Sequence, residues 1–159
     1  MTPFLWFDQK AEEAALFYTS IFKSSKITAI SRYGEAGKEI HGRPPGSVMT
    51  VSFELDGQSF TALNGGPAFQ FNEAISFQIE CETQAEVDFY WERLSEGGDP
   101  KAQQCGWLKD KFGLSWQVVP AMLPALLSDP DETKSQRAFQ AMLQMKKLDI
   151  AALERAFAG

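Results

Sequence analysis

Few side chains in this sequence could perform chemistry, and they fall in a handful of places. His41, the only histidine, lies in the stretch GEAGKEIHGRPPG at 34–46. A serine or cysteine nucleophile with an imidazole base would have to route through it. That Gly/Pro-rich loop has no periodicity, so His41 is either an exposed loop residue or a general base carried by a loop folding over a cleft. Gln78 and Glu80 alternate along the run ISFQIEC, and Gln117 stands in a later run, LSWQVV. Two amides and a carboxylate can orient a ligand's polar atoms and exchange a proton with it, and the same groups suit an open, solvated sheet face equally well. Asn64-Gly65-Gly66 offers backbone donors for an anion or oxyanion, or simply a tight turn. Cys105 could be a nucleophile if Lys101 or Lys109 favoured its thiolate; an inert thiol is the plainer account. Trp6 and Trp116 either share a ligand cleft with these groups or pack in a core.

The elements that must position these residues follow from hydrophobic spacing. FLWFD at 4–8 is a short apolar strand, with Asp8 as a helix cap. Ala14, Phe17, Tyr18, Ile21 and Phe22 then form one face of a helix. Strands are expected at 27–33, 47–55 and 58–63, the last two joined by the hairpin signal Asp56-Gly57. The order then recurs. Ile75 to Cys81 reads as a strand, Thr83 and Glu86 form a capping box, and Val87, Tyr90, Trp91 and Leu94 stripe a second helix. Cys105 to Leu108 and Leu114 to Val119 read as the last strands. Ala11-Glu12 matches Ala85-Glu86, Leu5 matches Ile79, and Phe7 matches Cys81. Gly57-x-Ser59-Phe60 matches Gly113-x-Ser115-Trp116 at a shorter offset. This points to a duplicated β-α-β-β-β module. After Pro120 comes a helical tail, with Leu123, Leu126 and Leu127 in a short helix, Asp129 capping a second, and Asp149 capping a third.

A chain of 159 residues with 44% hydrophobic and 23% charged residues reads as one globular domain. Its formal net charge of −6 argues against a nucleic-acid partner, which needs a basic stripe to replace phosphate counterions. No apolar run is long enough for a membrane span, so no membrane partner is expected. The start, MTPFLWFDQKAEE, lacks the basic and apolar regions of a signal peptide. Two cysteines without CxxC spacing fit a reduced, cytoplasmic protein.

The segments FLWFD…AEEAALFY, NGGPAFQF, ISFQIECETQAEVDFYW, CGWLKD-KFGLSWQVVP and AMLQMKKLDI resemble the PhnB-like proteins. These carry the label 3-demethylubiquinone-9 3-methyltransferase domain and form a branch of the vicinal oxygen chelate (glyoxalase/bleomycin-resistance/dioxygenase) superfamily. The resemblance implies an α+β fold of two βαβββ modules, residues 1–66 and 74–120, whose curved mixed sheets form a cleft. Helices would follow at 121–159, in a single domain assembled as a homodimer. Metal-dependent superfamily members ligate a divalent cation with His, Glu or Gln from cleft-facing strands. Here Thr61 and Gln117 occupy the positions where Glu usually ligates, and Ser76 stands where His is usual. No metal or other cofactor is therefore expected. The expectation is a small-molecule protein in which Gln78, Gln117, Asn64, Trp6 and Trp116 contact the ligand. Glu80 or His41 would be the acid/base group if there is turnover. Methyl transfer, which the label suggests, and ligand sequestration without turnover are the alternatives. No glycine-rich loop after a strand is present for a methyl donor.

Overall fold

The computed structural model describes residues 1–159. The chain divides into two compact units, Met1–Phe71 and Asn72–Gly159. Each contains a mixed sheet and flanking helices, so the class is α+β.

In the first unit β1 (Phe4–Phe7), α1 (Ala11–Ile21), β2 (Lys26–Arg32), α2 (Lys38–His41), β3 (Val48–Leu55) and β4 (Gln58–Asn64) follow in order. The strands lie side by side as β1-β4-β3-β2, with β1 parallel to β4 and the other pairs antiparallel. Period-two alternation turns Leu5, Phe7, Val51, Phe53, Phe60 and Ala62 inward, all buried. Helix α1 packs on β3 and β4 with Ala11, Ala14, Ala15, Tyr18 and Ile21. Three alanines let its backbone lie close to the sheet, and the Tyr18 ring stacks on Phe53 at 6.2 Å. Phe17 and Phe22, expected on that face, are only half-buried. The helix also begins later than its expected cap. Asp8 is two residues short of the N-cap position and binds Arg43 instead. The first free amide, Ala11 N, donates to Asn64 Oδ1 at 2.8 Å, so the cap comes from the end of β4. The 34–46 loop contains a single helical turn, α2, bounded by Gly37 and Gly42 with φ of 76° and 66°.

The second unit holds β5 (Phe77–Cys81), α3 (Gln84–Ser95), a 3-10 turn at Pro100–Ala102, β6 (Trp107–Lys109) and β7 (Ser115–Pro120). Strand order is β5-β7-β6, with β5 parallel to β7. This sheet has three strands, so the second module is βαββ rather than the expected βαβββ. The segment that would supply the missing strand is Gly97-Gly98-Asp99-Pro100. Gly97 has φ 73°, and the Asp99 carboxylate caps Lys101 N at 2.9 Å, which turns the chain instead of extending it. Cys105 also leaves its expected strand. With Gly106 it forms a two-residue turn at φ 51° and 85°, closed by the Gln104–Trp107 bridge.

Strand register supports the duplication. Leu5 pairs with Ala62 in the parallel ladder, and its repeat counterpart Ile79 pairs with Val118. Ala62 and Val118 each lie two residues beyond the matched pair Phe60 and Trp116. Two sequence matches made at different offsets are thus tied together by one hydrogen-bonding pattern.

The tail comprises α4 (Leu123–Leu127), α5 (Glu132–Leu143) and α6 (Ile150–Ala158). Asp131, not Asp129, caps α5, accepting from Thr133 N and Lys134 N. Pro130 therefore precedes the helix. Asp149 caps α6 as expected. Leu123, Leu148 and Leu153 bury Val119 at the end of β7.

Candidate functional site

In the second unit α3 packs on the sheet, and Cys81, Trp116 and Val118 are buried. Alternation sends Gln78, Glu80 and Gln117 to the opposite face. There the parallel register sets Gln78 beside Gln117, and the antiparallel register sets Trp107 on Gln117's other side. Two amides and an indole thus form one row, with Gln78 and Glu80 exposed and Gln117 and Trp107 half-buried. Gln117 Nε2 donates to Ser76 Oγ at 2.8 Å, which fixes the amide and leaves its oxygen as an acceptor. Gln78 Nε2 lies 3.5 Å from Glu80 Oε1. Lys109 pairs with the Glu73 carboxylate at the end of the sheet, and this holds the Glu73 carboxyl below its ordinary range.

Ser115 stands on β7 two residues before Gln117, is 1% exposed, and its hydroxyl has no hydrogen-bond partner. Buried polar atoms are nearly always paired, so an orphan hydroxyl in line with the amides is notable. The sequence showed Ser115 only as a landmark of the repeat. Trp107 was recoverable, because a hairpin closed at Gly113 must bring some residue opposite Gln117.

The other candidates sit differently. Trp116 is 2% exposed and donates through Nε1 to Asp110 Oδ2 at 2.9 Å. It belongs to the core, because alternation turns it away from Gln117. His41 stacks on Tyr33 at 4.5 Å, and its Nδ1 accepts from Arg43 N at 3.0 Å. The proton of the neutral ring therefore sits on Nε2, which faces the Ala36 carbonyl at 3.3 Å. Both nitrogens are engaged in holding the loop. Asn64 is buried, its Oδ1 capping α1 and its Nδ2 donating to Val48 O at 3.1 Å. Trp6 is half-buried, meets Phe69 edge-on at 5.0 Å, and donates to Gly66 O at 2.8 Å. A Cβ on Gly65 would come within 2.3 Å of the Trp6 ring, so the absence of a side chain there admits the indole. Cys81 and Cys105 are both free thiols.

The first unit also contains a pocket of about 320 Å³ walled by Gln9, Glu12, Arg43, Pro44, Val48 and Asn64. Of these, only Asn64 was marked by the sequence. Arg43 is a single basic residue in an irregular loop, and nothing in its spacing ties it to α1.

The family model of 3-demethylubiquinone-9 3-methyltransferase matches residues 1–119. A PhnB protein from Bacillus cereus that bears the same methyltransferase name is 39% identical, with a TM-score of 0.64 over 76% of this chain and 98% of its own. The chain belongs to this family. It is a PhnB-like protein. Protein PA1353 from Pseudomonas aeruginosa shares the fold at 20% identity and a TM-score of 0.57, over 76% of this chain and 96% of its own. No curated protein is similar enough to match. The family match stops before the helical tail of this PhnB-like chain.

The metal chemistry that the sequence resemblance implies needs three or four hard donors. At the corresponding positions this chain offers a half-buried Thr61 hydroxyl, the Ser76 hydroxyl that already accepts from Gln117, and the Gln117 amide. None of these is a carboxylate or imidazole, and nowhere do three His, Cys, Asp or Glu side chains gather. This donor set does not fit a divalent cation.

Proposed function

We propose that this PhnB-like protein binds a small polar organic molecule on the face of its second sheet that carries Gln78 and Gln117, without a metal ion. The observation that carries this is the Gln78–Gln117–Trp107 row in register across three strands, with an unpaired buried hydroxyl at Ser115 in line with it. Fixed amides can read a ligand's donors and acceptors, and an indole can cover its planar or apolar part.

Glu80 is the acid/base candidate on this face, in preference to His41, whose ring nitrogens are both engaged. We take the protein to act in the cytoplasm as a homodimer, with no nucleic-acid or membrane partner. No helix is long and apolar enough to cross a membrane. Native mass spectrometry tests the proposal. A small non-covalent adduct should accompany the protein from cells and be lost in Gln117→Ala, and an adduct retained in that variant would refute the site. Methyl transfer, named by the family, makes a different demand. A methyl donor titrated calorimetrically should give no heat here, and saturable heat would restore that alternative.

A further inference from the structure

The pocket in the first unit rests on residues other than those of the amide row. Its charged wall is one cation and one carboxylate that do not pair with each other. Arg43 is anchored through Nη2 alone, which donates to the Asp8 carbonyl at 2.8 Å and to Asp8 Oδ1 at 3.1 Å. Its side chain is 17% exposed, so the guanidinium is held rather than waving in solvent. Gly66 allows this placement, since a Cβ there would lie 3.2 Å from Nη2. The Nε and Nη1 donors carry no protein partner. Glu12, half-buried at the start of α1, has neither an ion pair nor a hydrogen bond. The remaining walls are Gln9, Ser47, whose hydroxyl donates to Pro44 O, the apolar Pro44 and Val48, and Asn64, whose amide is already bonded to Ala11 N and Val48 O. The helix start adds no free donor at Ala11, because Asn64 has taken it.

We propose that this pocket is a second ligand site, one that takes a zwitterion of amino-acid type, with its carboxylate on Arg43 and its ammonium on Glu12. The Nε–H and Nη1–H groups each offer a carboxylate a charge-assisted hydrogen bond. A lone anion would face both Glu12 and Asp8, and a lone cation would face Arg43, so neither satisfies both ends. A ligand carrying both charges does, and the Pro44–Val48 wall accommodates a short aliphatic side chain. A volume of about 320 Å³ admits such a molecule.

Titration of the full chain, followed by backbone amide NMR, tests this with three probes of one shape. L-valine carries both charges, isobutylamine only the ammonium, and isovalerate only the carboxylate. L-valine should shift the amides of Gln9, Glu12, Arg43 and Val48, and bind about tenfold more tightly than either single-charge probe, as one added charged hydrogen bond implies. Glu12→Gln removes a carboxylate with no protein partner, so the fold should be unaffected and valine should weaken to the level of isovalerate. Arg43→Met should weaken valine to the level of isobutylamine, and Arg43→Lys should recover only part of the loss. Equal binding of the three probes, unchanged valine affinity in Glu12→Gln, or shifts confined to Gln78 and Gln117 would each overturn the proposal. Because the mapped residues differ, failure here leaves the amide row untouched, and failure there leaves this pocket untouched.

Discussion

Gly65 and Cys81 show how single residues are set by close contact. The Trp6 indole lies where a Gly65 side chain would be, so Gly65→Ala must expel the ring and break its bond to Gly66 O. Overpacking of this kind costs about 1–3 kcal/mol, and denaturant unfolding together with a shift in tryptophan emission should report it. An unaltered spectrum would show that the ring is not seated there. Burial pushes the Cys81 thiol up to about 11, and neighbouring Glu86 adds to the shift. At pH 8 only about one such thiol in a thousand is ionised. Native protein should therefore lose one thiol, Cys105, to an alkylating reagent quickly, and Cys81 only on unfolding. Equal labelling rates would contradict this. At this scale the sequence was a partial guide. It marked Gln78, Glu80 and Gln117 by alternation, since period two needs only local order. It could not mark Arg43 or the orphan hydroxyl of Ser115, because both depend on which loop or strand lies opposite. Trp116 shows the converse: an aromatic beside a candidate residue points to the other face of the strand.

At the level of elements, the tail is joined to α3 mainly through one side chain. Gln84 Nε2 donates to Leu148 O at 3.1 Å and to Asp88 Oδ1 at 3.1 Å, while its Oε1 accepts from Ile150 N at 2.8 Å. Lys147 closes the same cluster on Asp88 at 2.6 Å. Gln84→Ala leaves a backbone amide and a carbonyl without partners and should destabilise the unit by about 1–3 kcal/mol. Limited proteolysis between Gln144 and Asp149 should accelerate, and an unchanged cleavage rate would mean the tail is held elsewhere. The Lys147 hydrogen bond, then that from Gln84, holds Asp88 below its usual 3.8. Its contribution to stability is therefore present above about pH 4 and is lost as pH falls through the lowered midpoint. Lys147→Met should return that midpoint towards 3.8 in an NMR titration. The existence and order of most elements were legible, because hydrophobic period and turn residues are local signals. Caps were less so. Asp8 and Asp129 have the right chemistry but stand two residues early, and α1 takes its cap from Asn64, a residue 53 positions away from Ala11. The absent strand of the second module had its own warning in Gly97-Gly98-Asp99-Pro100, a run that favours turning over extension.

For the whole molecule, duplication left the scaffold in two unequal copies. The parallel pairs β1–β4 and β5–β7 keep one register, while the second copy lacks a strand and gains the helical tail. Resemblance to PhnB-like proteins was readable because several distinctive blocks occur in a fixed order, and the family match bears it out over residues 1–119. The ligand was not readable, since ligand choice lies in a few side chains set by loops and strand edges rather than in the repeat. We propose that this scaffold works through its amide row and without a metal, because Thr61, Ser76 and Gln117 form no fitting donor set. Elemental analysis of protein purified without chelator, after expression with added manganese, nickel and zinc, tests this most directly. The account predicts metal far below one ion per chain. A content of about one divalent ion per chain, as a closed ligand set would hold, lost together with ligand binding in Gln117→Ala, would contradict it.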